Sequence, residues 1–250
     1  MNILLLKVTL MPSVIALVTL AIRKWGSKAG GLIGSMPWVA GPILLFFILE
    51  QGKAFGIYSI QGSMTGILAL ISFCVSYSAF SRKLTWLPTL LISYTLYTIT
   101  ALVFNYLQLN LYVSYALVMI SIVVSLQVYP SPIGPPASTR RLPFDIPIRM
   151  AVATVFVLAI TALASMLGPN WSGILTPFPI MTTILAIFTH TLQGSSATIT
   201  TLRGLVIGLL GFTTFLFLQA FLLNEFSIAL SFGIAFIINV LINLVASRVW

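Results

Sequence analysis

The sequence predicts an all-α, polytopic membrane protein with about nine transmembrane helices, built as two inverted-topology four-helix repeats joined by an extra helix. Three observations support this prediction: the composition, an internal repeat and the distribution of charge. Hydrophobic residues make up 59% of the 250 residues and charged residues 6%, and the mean hydropathy is +1.12. A soluble domain carries roughly 25% charged residues. The apolar runs are long and do not alternate, which favours helices over a transmembrane β-barrel.

The internal repeat appears when the sequence is shifted by 142 positions without a gap, which places Gly31 to Gly66 on Gly173 to Gly208. The superimposed pairs include Pro37 with Pro179, Gln51 with Gln193, Gly52 with Gly194, Gly62 with Gly204 and, further out, Lys7 with Arg149. Matches of Leu and Ile are expected by chance in an apolar chain, but matches of Pro, Gln and several Gly in one frame are not. They indicate a duplicated unit.

The apolar runs divide the chain into nine spans and three regions. The spans are Leu4 to Ile22, Gly31 to Leu49, Phe55 to Phe80, Trp86 to Tyr106, Leu111 to Tyr129, Ile148 to Leu167, Gly173 to Leu192, Leu205 to Leu223 and Phe226 to Ala246. Residues 1–107 form the first repeat and 148–250 the second. Residues 108–147 hold the extra helix and a cytoplasmic loop, proline-rich from Pro130 to Pro147, which cannot continue a helix.

The basic residues predict the orientation. Ten lie on the side reached after the first, third, fifth, seventh and ninth spans, and two lie on the other side, at Lys7 and Lys53. Cytoplasmic loops carry the excess of Lys and Arg, so the N-terminus is expected outside and the C-terminus in the cytoplasm. Five crossings separate the starts of the two units, which therefore enter the membrane from opposite faces.

Composition and motifs argue against several classes of function. The net charge of +9 is spread singly or in pairs at span ends, which does not indicate nucleic-acid binding. The three carboxylates, Glu50, Asp145 and Glu225, are far apart, and His190 and Cys74 are the only residues of their types. No catalytic or metal-binding motif is present in the sequence, so we expect neither an enzyme, nor a metal site, nor a cofactor. The expected partners are the lipid bilayer and a small-molecule substrate, with a homodimer left open.

Pro37 and Pro179 occupy matching positions near the start of the second and seventh spans. A proline removes a backbone donor and frees a carbonyl, and such groups need partners in protein or a cavity at membrane depth. This favours two discontinuous helices that line a substrate site. The alternative is a pair of kinks accommodated by packing.

The Gln-Gly segments, Gln51 with Gly52 and Gln193 with Gly194, follow these two spans. They are interpreted either as symmetric substrate contacts at the two mouths of a pathway or as polar residues that end a helix before glycine.

Four further polar residues are candidates for function. Glu50 and His190 are candidate proton-coupling groups, since ionisable groups in membranes are often functional and His titrates near neutral pH. The alternatives are an interfacial Glu50 with Lys53 as its i+3 partner, and a hydrogen-bonded structural His190. Lys53 and Arg203 are interpreted as topology signals or, for Arg203, as an anion-binding group.

The runs GGLIGSMP and AGPILLFFILEQGKAF resemble the pattern of small GlpM-type bacterial inner-membrane proteins and related paired-repeat membrane proteins. In that pattern a Gly-Gly-Leu and Pro segment precedes an apolar helix and a polar-Gly-x-x-Phe turn. The resemblance covers two or three spans of each half, and the second copy lacks the Glu and Lys. It implies a location in the bacterial inner membrane.

Together these observations predict a secondary transporter or flippase that moves a small metabolite or amphiphile by alternating access. The predicted site includes Pro37, Gln51, Gly52, Pro179, Gln193 and Gly194. The alternatives are a non-transporting membrane subunit of a larger assembly and a narrow channel.

Overall fold

A computed structural model describes residues 3–34, 36–132 and 145–249, without the side chains of residues 18, 19, 21–34 and 145. The described residues form eight helices and no strand: α1 Ile3–Gly34, α2 Ala40–Gln51, α3 Lys53–Phe80, α4 Trp86–Leu107, α5 Leu111–Val128, α6 Asp145–Leu175, α7 Ile180–Glu225 and α8 Ile228–Val249. Six of them, α3 to α8, are long and apolar enough to cross a membrane. The chain is therefore a helical membrane protein, as predicted. Most of the proline-rich loop lies in residues 133–144, outside the described residues.

The centre of the bundle is formed by α3 and α7. Most residues of α3 and of the part of α7 after Gly194 are buried, whereas fewer than a third of those of α4, α5 and α8 are. The exposed side chains of the outer helices are large and apolar, for example Leu102, Ile120 and Leu241. Apolar side chains on an outer surface suit contact with lipid, because the hydrocarbon core offers no partner to polar groups.

Two sets of contacts define the ends of the bundle. At one, here called the Leu109 end, the Gln61 amide donates to the Leu109 carbonyl at 2.8 Å. At the other, the Tyr129 end, the Tyr129 hydroxyl lies 2.7 Å from that of Ser78 and 3.2 Å from the carbonyl of Cys74. Both α3 and α5 thus run from the Leu109 end to the Tyr129 end.

Single glycines turn the chain between helices. Gly52 separates α2 from α3 with φ 93° and ψ 162°, and Gly194 interrupts α7 with φ 83° and ψ 176°. After Gly52 the chain folds back on itself, since a Cβ on Gly56 would lie 2.5 Å from the Ile48 side chain. Gly168 interrupts α6 with similar angles, φ 73° and ψ 169°. These angles fall in a region that is accessible almost only to glycine.

We expect Gly52→Ala and Gly194→Ala each to lower the free energy of unfolding by about 1 to 3 kcal/mol, because alanine is strained at such angles. A Cβ would meet no atom within 4 Å at either position, so the effect isolates backbone strain from overlap. Unfolding by heat in detergent measures it. Gly233→Ala is the matched control, because Gly233 lies within α8, has open space around it and keeps a negative φ. Equal unfolding temperatures for Gly52→Ala and Gly233→Ala would contradict the expected backbone strain at position 52.

The helix bounds follow the 142-residue shift seen in the sequence. Helices α4 and α8 begin 142 residues apart, and the glycines with positive φ at Gly52 and Gly194 have the same separation. The buried positions follow it as well. Helix α4 buries Thr89, Ser93, Tyr97 and Ala101, and α8 buries Ser231, Ala235, Asn239 and Asn243 at the corresponding places, together with Ala246.

Helix α3 and the last part of α6 approach so closely that their backbones touch. Gly62 of α3 lies against the carbonyl of Asn170, and Gly173 of α6 lies against the carbonyl of Ser59. Small residues on facing helices allow two backbones to approach this closely. Near the same contact the Asn170 amide donates to the Asn105 side chain of α4 at 2.7 Å.

Candidate functional site

Two breaks in the helices meet near the middle of the bundle. Residues 36–39 separate α1 from α2, and residues 176–179 separate α6 from α7. Pro37 and Pro179 are buried within these breaks, where their missing N–H groups and fixed φ oppose a continuous helix. The segments that follow, α2 and α7, begin without a side-chain cap.

A cavity of about 100 Å³ lies between the two breaks. Both breaks contribute walls, together with α3, α6 and the later part of α7. The lining is formed by Ile15, Met36, Trp38, Val39, Ala40, Leu70, Arg149, Ala153, Phe156, Thr176, Pro177, Phe178, Ile180, Met181, Thr182, Leu185, Leu205, Leu209 and Phe212. The neighbours of Pro37 and Pro179 thus share one largely apolar chamber.

Arg149 is the one charged residue among the described residues that line the cavity. It lies in the second turn of α6 and is 8% exposed. Ala153 and Phe156 line the same cavity and follow at i+4 and i+7, so one face of α6 points inward. Burying a guanidinium at membrane depth is costly, and ionisable residues kept there commonly mark a substrate pathway.

Lys7, which corresponds to Arg149 in the first copy, is also buried. Its ammonium lies 2.6 Å from the Glu50 carboxylate and 2.7 Å from the Thr161 hydroxyl, and 5.4 Å from the centre of the Phe46 ring. The pair ties α1 to α2 and α6 at the Leu109 end. In the second copy the residue corresponding to Glu50 is Leu192. The 142-residue shift therefore matches the cation of the first half but not its acidic partner.

The salt bridge of Glu50 therefore goes to Lys7 and not to Lys53, the partner expected at i+3. Gly52 explains the difference: Glu50 ends α2, whereas Lys53 begins α3 after the chain has turned, so the two residues do not share a helical face. Lys53 is exposed at the Leu109 end.

His190 lies near the Tyr129 end. Its Nδ1 atom is 3.4 Å from the Tyr77 hydroxyl, and the two rings meet edge to face with centroids 5.8 Å apart. Arg203, half-buried on α7, has its Nε atom buried without a hydrogen-bond partner among the described residues.

The two Gln-Gly segments lie far from each other. Gln51 and Gly52 are exposed at the Leu109 end, and Gln193 is half-buried beside the exposed Gly194 near the Tyr129 end. The described lining of the central cavity contains none of these four residues. The two ends and the cavity are thus three separate places in the bundle.

From the sequence, Lys7 and Arg149 are interpreted only as topology signals, but the structure buries both. The signal that could have identified them was present, because the 142-residue shift superimposes one cation on the other. A charge kept at the same position of two apolar helices is poorly explained by topology, since the orientation predicted from the basic residues has these two helices enter the membrane from opposite faces.

No group of three or more His, Cys, Asp or Glu side chains in the described part of the chain is arranged to hold a metal ion. Comparison of the chain with protein-family models, with curated proteins and with solved structures gave no match.

Proposed function

We propose that the chain is a secondary transporter or flippase that moves a small metabolite or amphiphile by alternating access between two inverted four-helix repeats. The observation that carries this proposal is the central cavity, because corresponding broken segments of both halves form its walls. Binding sites between discontinuous helices near the midplane recur in transporters built from inverted repeats.

The directions of the central helices support the inversion. Helix α3 runs parallel to α5, as the contacts at the two ends show. The later part of α7 runs the opposite way: Thr214 contacts Tyr115 at 3.2 Å, and Phe221 reaches Tyr112, both near the start of α5. Because α3 and this part of α7 correspond at the 142-residue shift, their antiparallel directions support opposite orientations for the two copies.

The proposed topology has nine crossings, of which two are broken. Residues 169–193 lead from the Leu109 end, past Tyr94, to the Tyr129 end, with the break at 176–179 between them. Contacts of Asn170 with Asn105, of Thr183 with Tyr94, and of His190 with Tyr77 mark this path. Residues 27–51 form the corresponding broken span of the first half. The charge bias favours an N-terminus outside and a C-terminus in the cytoplasm. The membrane would be the bacterial inner membrane that the resemblance implies.

The contacts at the two ends supply candidate gates. Lys7 with Glu50 joins α1 to α2 at the Leu109 end, and His190 with Tyr77 joins α7 to α3 near the Tyr129 end. Protonation of Glu50 would remove the charge that pairs with Lys7, and protonation of His190 would make its ring a donor to the Tyr77 hydroxyl. Either event would change a contact at one end of the bundle and so couple a proton to opening or closing. Such gates need two states of similar energy, which inverted copies of one fold provide.

Cysteine accessibility in proteoliposomes tests alternating access without knowledge of the substrate. Ala40, buried on the cavity wall, is replaced by Cys in a Cys74→Ser background that removes the one native thiol. We expect a membrane-impermeant thiosulfonate to modify Ala40→Cys when it is added to either face. Modification from neither face would contradict the proposal and favour a non-transporting subunit.

Two control variants fix the sidedness of this assay. Gln51→Cys, exposed at the Leu109 end, should react from one face only, and Leu244→Cys, 58% exposed on the outer surface of α8, should not react in lipid. Glutathione trapped in the lumen reports leakage. If the reagent added outside passes through the protein and reacts with this glutathione, the pathway is open to both faces at the same time. The chain is then a narrow channel and not an alternating-access transporter.

A further inference from the structure

We propose that the central cavity binds a small hydrophobic monoanion, a monocarboxylate above all, whose charged group pairs with Arg149 and whose body lies against the apolar wall. This inference rests on the proposed function in one respect: the bound anion is a substrate only if the chain is a transporter. The binding itself is independent of transport.

The charge of the site comes from Arg149. A guanidinium presents five N–H donors in a planar fork, so it can keep a protein contact and still donate two parallel hydrogen bonds to a carboxylate. At 8% exposure such bonds are little weakened by solvent. The position of Arg149 on the cavity wall thus provides a strong and directional anion contact.

The other walls discriminate against cations. The described lining holds no carboxylate to attract an ammonium group. Ala40 and Ile180, the first residues of α2 and α7, lie on the wall, and the N-terminal end of a helix carries partial positive charge. Each of these features raises the energy of a bound cation and lowers that of an anion.

The rest of the lining selects for a small apolar body with a single charge. Leu70, Leu209 and Phe212 of the central helices face Trp38 and Phe178 of the breaks across the chamber. A second negative charge would meet this apolar surface without a partner, which is costly. At about 100 Å³ the cavity suits a molecule far smaller than a typical drug.

Radiolabelled benzoate is the probe, bound at equilibrium to the purified full chain in detergent and measured by scintillation proximity. Unlabelled benzoate should displace it. Benzyl alcohol and benzylamine have nearly the same shape but are neutral and cationic, and we expect each to compete at least about tenfold more weakly, as expected for loss of a charged hydrogen bond. Equal competition by benzyl alcohol would overturn the proposal.

Variants locate the binding. Arg149→Gln should weaken benzoate binding about 10- to 100-fold, whereas Arg149→Lys should retain part of it as a point charge without the fork. Arg248→Gln, the same change at an exposed position near the end of α8, should leave binding unchanged. Ala153→Leu fills the cavity without touching the charge and should also weaken binding. If all four variants bind benzoate as tightly as the unaltered chain does, the signal is partitioning into the micelle, and the proposal is overturned.

Each variant is first checked for a cooperative thermal transition. If Arg149→Gln does not fold, Ala153→Leu together with the competition series decides, because both probe the cavity with Arg149 in place. Benzoate uptake into proteoliposomes separates the two proposals. If benzoate binding depends on Arg149 but no uptake occurs, the anion site is supported and the transporter proposal is overturned. If the cysteine is reached from both faces but benzoate does not bind, the transporter proposal is supported and the anion site is overturned.

Discussion

Replacement of Glu50 by leucine is expected to lower the free energy of unfolding by about 2 to 4 kcal/mol. It leaves the buried ammonium of Lys7 without its opposite charge, and the loss of one partner from a buried pair commonly costs several kcal/mol. The Glu50 side chain is 24% exposed, which places the effect toward the lower part of that range. Lys7 would retain only the Thr161 hydroxyl and the ring of Phe46. The unfolding midpoint in detergent measures the change.

The double variant Lys7→Met with Glu50→Leu is the decisive comparison. Replacement of a buried ion pair by apolar residues of similar size is often neutral or stabilising. The double variant should therefore recover most of the stability lost in Glu50→Leu. Lys53→Met removes an exposed cation three residues away and should change stability by less than about 0.5 kcal/mol. A double variant as unstable as the single one would show that the ion pair is not the source of the effect.

Gly173→Ala is expected to lower the free energy of unfolding by about 3 kcal/mol or more, because overpacking at a backbone contact leaves no side chain to move aside. Its Cβ would overlap the carbonyl of Ser59 on α3, and the reciprocal change Gly62→Ala would overlap the carbonyl of Asn170 on α6. Relief of either overlap requires α3 and the last part of α6 to separate. The yield of monodisperse protein on size exclusion and the unfolding midpoint both report the loss.

Gly233→Ala again provides the matched control. A Cβ there meets nothing within 4 Å, so the change should stabilise α8 by about 0.5 to 1 kcal/mol through helix propensity. A normal yield of Gly173→Ala would show that α3 and α6 can separate at little cost, and would remove the argument that these two helices are locked together.

The elements that the sequence predicted well depend on local chemistry. Apolar runs of sufficient length produced the long helices α3 to α8, because the bilayer demands internal hydrogen bonding over that length. The two Gln-Gly segments coincide with the points where helices end, since the glycines there adopt φ of 83° to 93°. Pro37 and Pro179 fall in the breaks for an equally local reason, the absence of a backbone donor.

The elements that the sequence could not supply depend on contacts between distant residues. Lys7 and Glu50 are 43 positions apart, and Lys7 and Thr161 are 154 apart, so nothing in the local pattern pairs them. The cavity walls consist of Leu, Phe, Ala and Met, which by sequence resemble any other core residues of a membrane helix. Arg149 is the one charged residue of the described lining. Its charge agrees with the positive-inside rule, so the local sequence gives no reason to expect that it is buried.

The salt bridge between Lys7 and Glu50 has a consequence for the energy difference between conformations. Two inverted copies with the same sequence would exchange roles without change in energy, so that neither conformation would be preferred. A contact present in one copy alone removes this equivalence, and a bias of about 1.4 kcal/mol already populates one conformation tenfold over the other. In the proposed transporter, the Lys7–Glu50 pair of the first half thus favours the conformation in which α1 and α2 are joined at the Leu109 end.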